Sequence, residues 1–244
     1  TVEWAHYYIA PPLAISPLSE QALPWATSYP IFHWGLIGWA FYCLPGIAMG
    51  YVFYCRGATS LRLSEACRRV VPFRARGVVN PLIDLIFVIG LVGACSTGIG
   101  LAVPLIGTLS SDLLGLDSRG LGFQLDLMVI AIVTFLFAGS AWLGLENGIR
   151  WLSNVNIGLA FGVILFVFLA GPTLFITELG VESIGLLLQN FVRMATWTDA
   201  QGTSDFVESW TIFYWAWWLA LGPFMGIFIA KISRGRTMQQ IILG

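Results

Sequence analysis

The chain has 244 residues, of which 57% are hydrophobic and only 10% charged, with a mean hydropathy of +0.81 and a formal net charge of -1. Soluble globular domains average about 25% charged residues, so this composition excludes an ordinary soluble domain and describes an all-α polytopic membrane protein. The cysteines, Cys43, Cys55, Cys67 and Cys95, have no paired spacing and give neither a disulfide framework nor a zinc site.

Residues 1–27 are polar and proline-containing, and "IAPPLAISP" stops any helix by about Ile9. Charge-free stretches then occur at 28–55, 85–111, 127–145, 151–177 and 209–230. Each reaches the roughly 18–20 residues that cross a ~30 Å hydrocarbon layer, which predicts five spans at about 28–55, 79–106, 124–145, 151–177 and 209–232 within one transmembrane domain, 1–244. Between the last two, "SIGLLLQNFV" repeats Ile184, Leu187, Leu188 and Phe191 at i, i+3, i+4 and i+7, predicting an amphipathic helix at about 182–193 on the outer surface or against a neighbouring subunit.

If the spans alternate, Arg56, Arg62, Arg68, Arg69, Arg74, Arg76, Arg150, Lys231, Arg234 and Arg236 share one side, which the positive-inside rule makes cytoplasmic. The Arg-rich connection at 57–78 reads as a topology signal facing anionic headgroups rather than a nucleic-acid surface. No charged n-region with an h-region marks a signal peptide, and the abrupt ends suggest a piece of a longer protein.

The densest feature is "WTIFYWAWW", residues 210–218. On a helix Trp210, Phe213, Tyr214, Trp217, Trp218 and Leu221 share a face. Trp210 suits an interfacial aromatic belt, but Trp217 and Trp218 lie about 12–14 Å into the span at ~1.5 Å per residue, near the bilayer midplane. "LGPF" comes next, where Pro223 cannot bond the carbonyl of Leu219, so the helix is expected to break there or to kink for packing. In the first span Trp34, Trp39 and Tyr42 of "HWGLIGWAFY" occupy one broad face.

Several ring faces without a cluster of carboxylates suit a quaternary ammonium, whose charge is diffuse and weakly hydrated, at about 0.5–2 kcal/mol per contact. In "GACSTGIGLAVP" small residues pack helices closely, while the hydroxyls of Ser96 and Thr97 are alternative ligands for a hard cation. His6 and His33 lack metal-ligand partners, and no nucleophile elbow, P-loop or HExxH occurs, so no metal site, cofactor or enzyme activity is expected.

Residues 208–237, "ESWTIFYWAWWLALGPFMGIFIAKISRGRT", together with "GLENGIRWLSNVN", "TGIGLAVP" and "HWGLIGW", resemble the betaine/carnitine/choline transporter (BCCT) family over nearly the whole chain. The resemblance implies part of a LeuT-like inverted-repeat transporter fold, with five spans present and the N- and C-terminal helices missing, in a homotrimer of the bacterial inner membrane. It implies substrate-binding roles for Trp34, Trp39, Tyr42, Trp217 and Trp218, with Leu221 where betaine symporters have a further Trp and His6 where carnitine exchangers have a Tyr. Ion-coupling candidates are Ser96, Thr97, Phe224 and Asn156; Asn156 stands where sodium-independent exchangers are expected to carry Arg, whereas Met225 matches them. The implied activity is import of glycine betaine, choline or a related osmolyte with sodium or protons. The alternatives are a sodium-independent carnitine/γ-butyrobetaine exchanger and, from another class, a membrane sensor or interaction module whose rings only pack.

Overall fold

The computed structural model describes residues 3–115, 118–142, 148 and 150–243, among which every regular element is helical. The chain forms two compact units, residues 1–94 with 177–244, and residues 95–176. Among the described residues six helical segments are long and apolar enough to cross a membrane: Ala22–Cys55, Phe73–Leu114, Gly122–Trp142, Arg150–Ala170, Thr173–Thr196 and Val207–Ile232.

In the first unit α1 (Glu3–Ile9) is short because Pro11 and Pro12 come directly after it. The first spanning segment is two helices, α2 (Ala22–Trp34) and α3 (Leu36–Gly50), with π-helical geometry at Tyr51–Cys55. They part at Gly35, whose backbone angles are φ -86° and ψ -132°. Only glycine suits this break, since an added Cβ would stand 2.3 Å from the Ile31 carbonyl oxygen. On the cytoplasmic side of the expected topology, Asp84 accepts hydrogen bonds from the Ser64 N–H (3.1 Å) and hydroxyl (2.8 Å) at the start of α4 (Leu63–Ala66), satisfying a helix N-terminus. Arg76 donates to the Arg68 carbonyl at 2.8 Å and lies over the Phe73 ring, which folds the Arg-rich connection on itself.

α5 (Arg76–Leu114) leads into the second unit, which also holds α6 (Ser118–Trp142) and α7 (Arg150–Ala170). Val103, Leu125 and Val129 are buried there. α7 buries none of its residues, and a helix apolar all round belongs in hydrocarbon or against other helices. The expected third span runs to 145, and its last residues, 143–145, lie outside the described residues, as do 144–147 and Ile149 of "GLENGIRWLSNVN".

The expected 151–177 span ends earlier. Gly171 and Pro172 interrupt it, and the Thr173 hydroxyl caps the ending helix by donating to the Phe168 carbonyl at 2.6 Å. α8 (Thr173–Thr196) then takes in the whole expected amphipathic segment and is twice its length. It meets the middle and end of α2: the Thr27 and Ser183 hydroxyls are 2.6 Å apart, Ser28 donates to the Ser183 carbonyl at 3.0 Å, and Phe32 packs edge-on to Phe191. The turn after α8 is held by Asp199, which accepts from the Thr203 hydroxyl and from Ser204; these bonds keep its carboxyl below the usual carboxylate range.

The last spanning segment starts as a π-helix (Val207–Ile212) and continues as α9 (Phe213–Ile232), after which comes α10 (Met238–Leu243). The expected break at "LGPF" is a correction: α9 runs unbroken through Pro223. Losing one hydrogen bond is tolerated because the helix is held along its length against α3, where Tyr214, Trp218, Gly222, Gly226 and Ala230 are buried at spacings of four. At Gly226 an added Cβ would come within 2.8 Å of the Pro45 backbone, so this small residue sets the approach of the two helices.

Candidate functional site

The crossing of α3 and α9 gathers rings from positions about 180 residues apart. Trp218, 5% exposed, is its centre. Trp34 meets it edge-to-face at 4.9 Å and Tyr42 does so at 5.6 Å on the α3 side, while Trp39 stands edge-on to Tyr42 at 6.0 Å. Trp217 stacks beside Trp218 at 5.9 Å, nearly parallel, and reaches Trp34 at 6.2 Å. Edge-to-face and offset contacts of this kind are the favourable ones for aromatic quadrupoles. The five expected substrate residues are therefore contiguous, with Trp34 and Trp39 exposed and Tyr42 and Trp218 buried.

The helical face expected from the sequence reappears whole: Trp210, Phe213, Trp217 and Leu221 pack against the Tyr42, Tyr214 and Trp218 cluster. His6 packs on Trp210 at 5.7 Å rather than on Trp218. Met225 packs on the same cluster.

The Gly35 break supplies a polar anchor. The His33 carbonyl, two residues before it, accepts the Trp218 indole N–H at 3.1 Å. The His33 ring is fully buried between the Tyr7 hydroxyl, 3.2 Å from Nδ1, and the Thr211 hydroxyl, 3.1 Å from Nε2. Burial, with Glu3 adding to it, pushes the Tyr7 phenol well above its ordinary range, so this hydroxyl stays neutral. Among the described residues the buried Trp217 indole nitrogen has no hydrogen-bond partner.

Sequence reasoning placed no carboxylate at the rings, and the structure brings one there. Glu3 accepts from the Trp34 indole at 3.1 and 3.2 Å through its two oxygens, and from the Tyr214 hydroxyl. Neither Glu3, Tyr7, His33, Thr211 nor Tyr214 was singled out as a site residue, because each acts through a partner from 26 to 211 positions away.

The ion-coupling candidates are divided. Ser96, Thr97 and Asn156 are exposed residues of the second unit, and Phe224, also exposed, belongs to the first. Among the described residues no group of His, Cys, Asp and Glu could hold a metal ion.

Apolar helices of spanning length, one of them broken at Gly35, together with clustered ring faces describe a polytopic α-helical membrane protein. The family model described as "BCCT, betaine/carnitine/choline family transporter" matches residues 1–244, and the chain belongs to that family. It is a multi-pass protein of the bacterial inner membrane, in a family of transporters rather than enzymes. Similar proteins include the uncharacterized transporter YeaV of Escherichia coli (37% identical over 99% of this chain and 50% of its own length). Others are the carnitine transporter of Acinetobacter baumannii (35%, over 99% and 43%) and the glycine betaine transporter OpuD of Bacillus subtilis (38%, over 98% and 46%). The chain thus spans half or less of the length of these relatives.

Proposed function

We propose that the protein is a secondary active importer of a quaternary ammonium compound such as glycine betaine or choline, coupled to sodium or protons. The observation that carries this reading is the meeting of Trp34, Tyr42 and Trp217 on Trp218, with Trp39 on Tyr42. Trp34, Trp39, Tyr42 and Trp218 cage the cationic head, and Trp217 lines the path. Three or four ring faces at about 0.5–2 kcal/mol each supply a good part of the ~8 kcal/mol that micromolar binding requires. Betaine and carnitine in the names of similar proteins support the substrate class.

Ser96, Thr97, Phe224 and Asn156 remain the proposed ion-coupling residues, the working state is a homotrimer, and the flanking helices complete a LeuT-like fold. The carnitine relative keeps sodium-independent exchange as the second reading. Binding of labelled glycine betaine to the purified intact protein tests the cage. Competition by choline and carnitine, with none from an isosteric tert-butyl analogue lacking the positive charge, is the expected result. Equal competition by the neutral analogue would remove the ring-to-cation basis of the reading.

A further inference from the structure

The carboxylate of Glu3 is placed where it decides the attitude of two rings from two different helices. Trp34, at the end of α2, gives its indole N–H to both Glu3 oxygens, and Tyr214, in the first turn of α9, gives its hydroxyl to one of them. Tyr214 in turn stacks on Trp217 and Trp218 at 6.3 and 6.0 Å and meets Trp34 edge-on at 5.7 Å. An ionised carboxylate is an acceptor only, with room for several donors, so one side chain can fix both rings, and a neutral amide cannot reproduce the arrangement.

We propose that Glu3 is a positioning residue of the aromatic cage, acting through Trp34 and Tyr214 to hold the ring faces at the angles that receive a quaternary ammonium. The proposal rests on the cage reading given above. The position of α1 does not depend on Glu3 alone, because the fully buried Tyr7 packs on Tyr29, Phe206 and Trp210 and reaches His33. Removing the Glu3 carboxylate therefore frees the rings while α1 stays docked.

The test is uptake kinetics of labelled glycine betaine by the intact protein in cells lacking their own osmolyte transporters, with membrane abundance measured in parallel. Glu3→Ala is expected to raise KM about tenfold or more, the size of a lost charge-assisted hydrogen bond, with abundance and maximal rate within about twofold of wild type. Glu3→Gln, which keeps one acceptor oxygen, falls between. Tyr214→Phe raises KM alone but adds little in the Glu3→Ala background, because both changes break the same contact. Trp218→Leu in the same assay separates the levels. If Trp218→Leu loses affinity while Glu3→Ala keeps the wild-type KM, or loses only abundance, the positioning role is overturned and the cage stands. If neither substitution moves KM, the cage reading itself falls, and the role of Glu3 with it.

Discussion

Trp218 has two separable parts, a ring that faces Trp34 and Tyr42 and an N–H held by the His33 carbonyl. Trp218→Phe keeps a ring and leaves that carbonyl unpaired, so it should lower thermal stability by about 1–3 kcal/mol while quaternary ammonium affinity stays within about threefold. Trp218→Leu removes the ring face, and affinity should fall tenfold or more, read by equilibrium binding on protein that remains folded. At this scale the ring cluster was legible in the sequence, because Trp217 and Trp218 on one helix and Trp34, Trp39 and Tyr42 on the other fall on shared helical faces. Its holders were not. Glu3 and His33 look like an isolated acid and an isolated imidazole until the chain folds, because nothing local pairs Glu3 with Tyr214 or His33 with Thr211.

α9 shows how packing overrides a local signal. Pro223 deprives the Leu219 carbonyl of its donor, yet the helix continues because its buried stripe is clamped against α3. Pro223→Ala should restore that hydrogen bond and raise the melting temperature with substrate affinity retained; lost affinity would show that the proline shapes the site after all. Gly226→Ala acts oppositely. Its methyl would collide with the Pro45 backbone, so α3 and α9 must separate, at a cost of about 1–3 kcal/mol, and KM should rise as Tyr42 withdraws from Trp218. The real break, at Gly35, carries no proline and was hidden in "HWGLIGW", where a glycine reads equally well as helix packing. Helix ends at Ile9 and across 171–172 are set by prolines, and only the first was foreseen.

For the whole molecule, hydropathy and arginine placement made the apolar helices legible, while α8 is the ambiguous element. It has the length to cross, but its mean hydropathy of 1.2 is the lowest of the six, it carries Glu178, Glu182 and Arg193, and it packs on α2 through contacts at Thr27 and Phe32. The expected topology places α8 along the outer surface with five spans crossing. Single cysteines at Glu178 and Arg193 in a background free of other cysteines should then both react with a membrane-impermeant maleimide applied from outside. Labelling of one from outside and the other only in inverted vesicles would make α8 a sixth span and reverse the direction in which α9 crosses. That these rings serve transport of a soft cation is tested most directly by uptake of labelled glycine betaine by the intact protein in cells lacking their own osmolyte transporters, with and without an inward sodium gradient. Sodium-stimulated uptake, competed by choline or carnitine and abolished by Trp218→Leu, is the expected result. Absence of uptake and of exchange for every quaternary ammonium compound, by protein shown to reach the membrane, would contradict it and return the rings to packing.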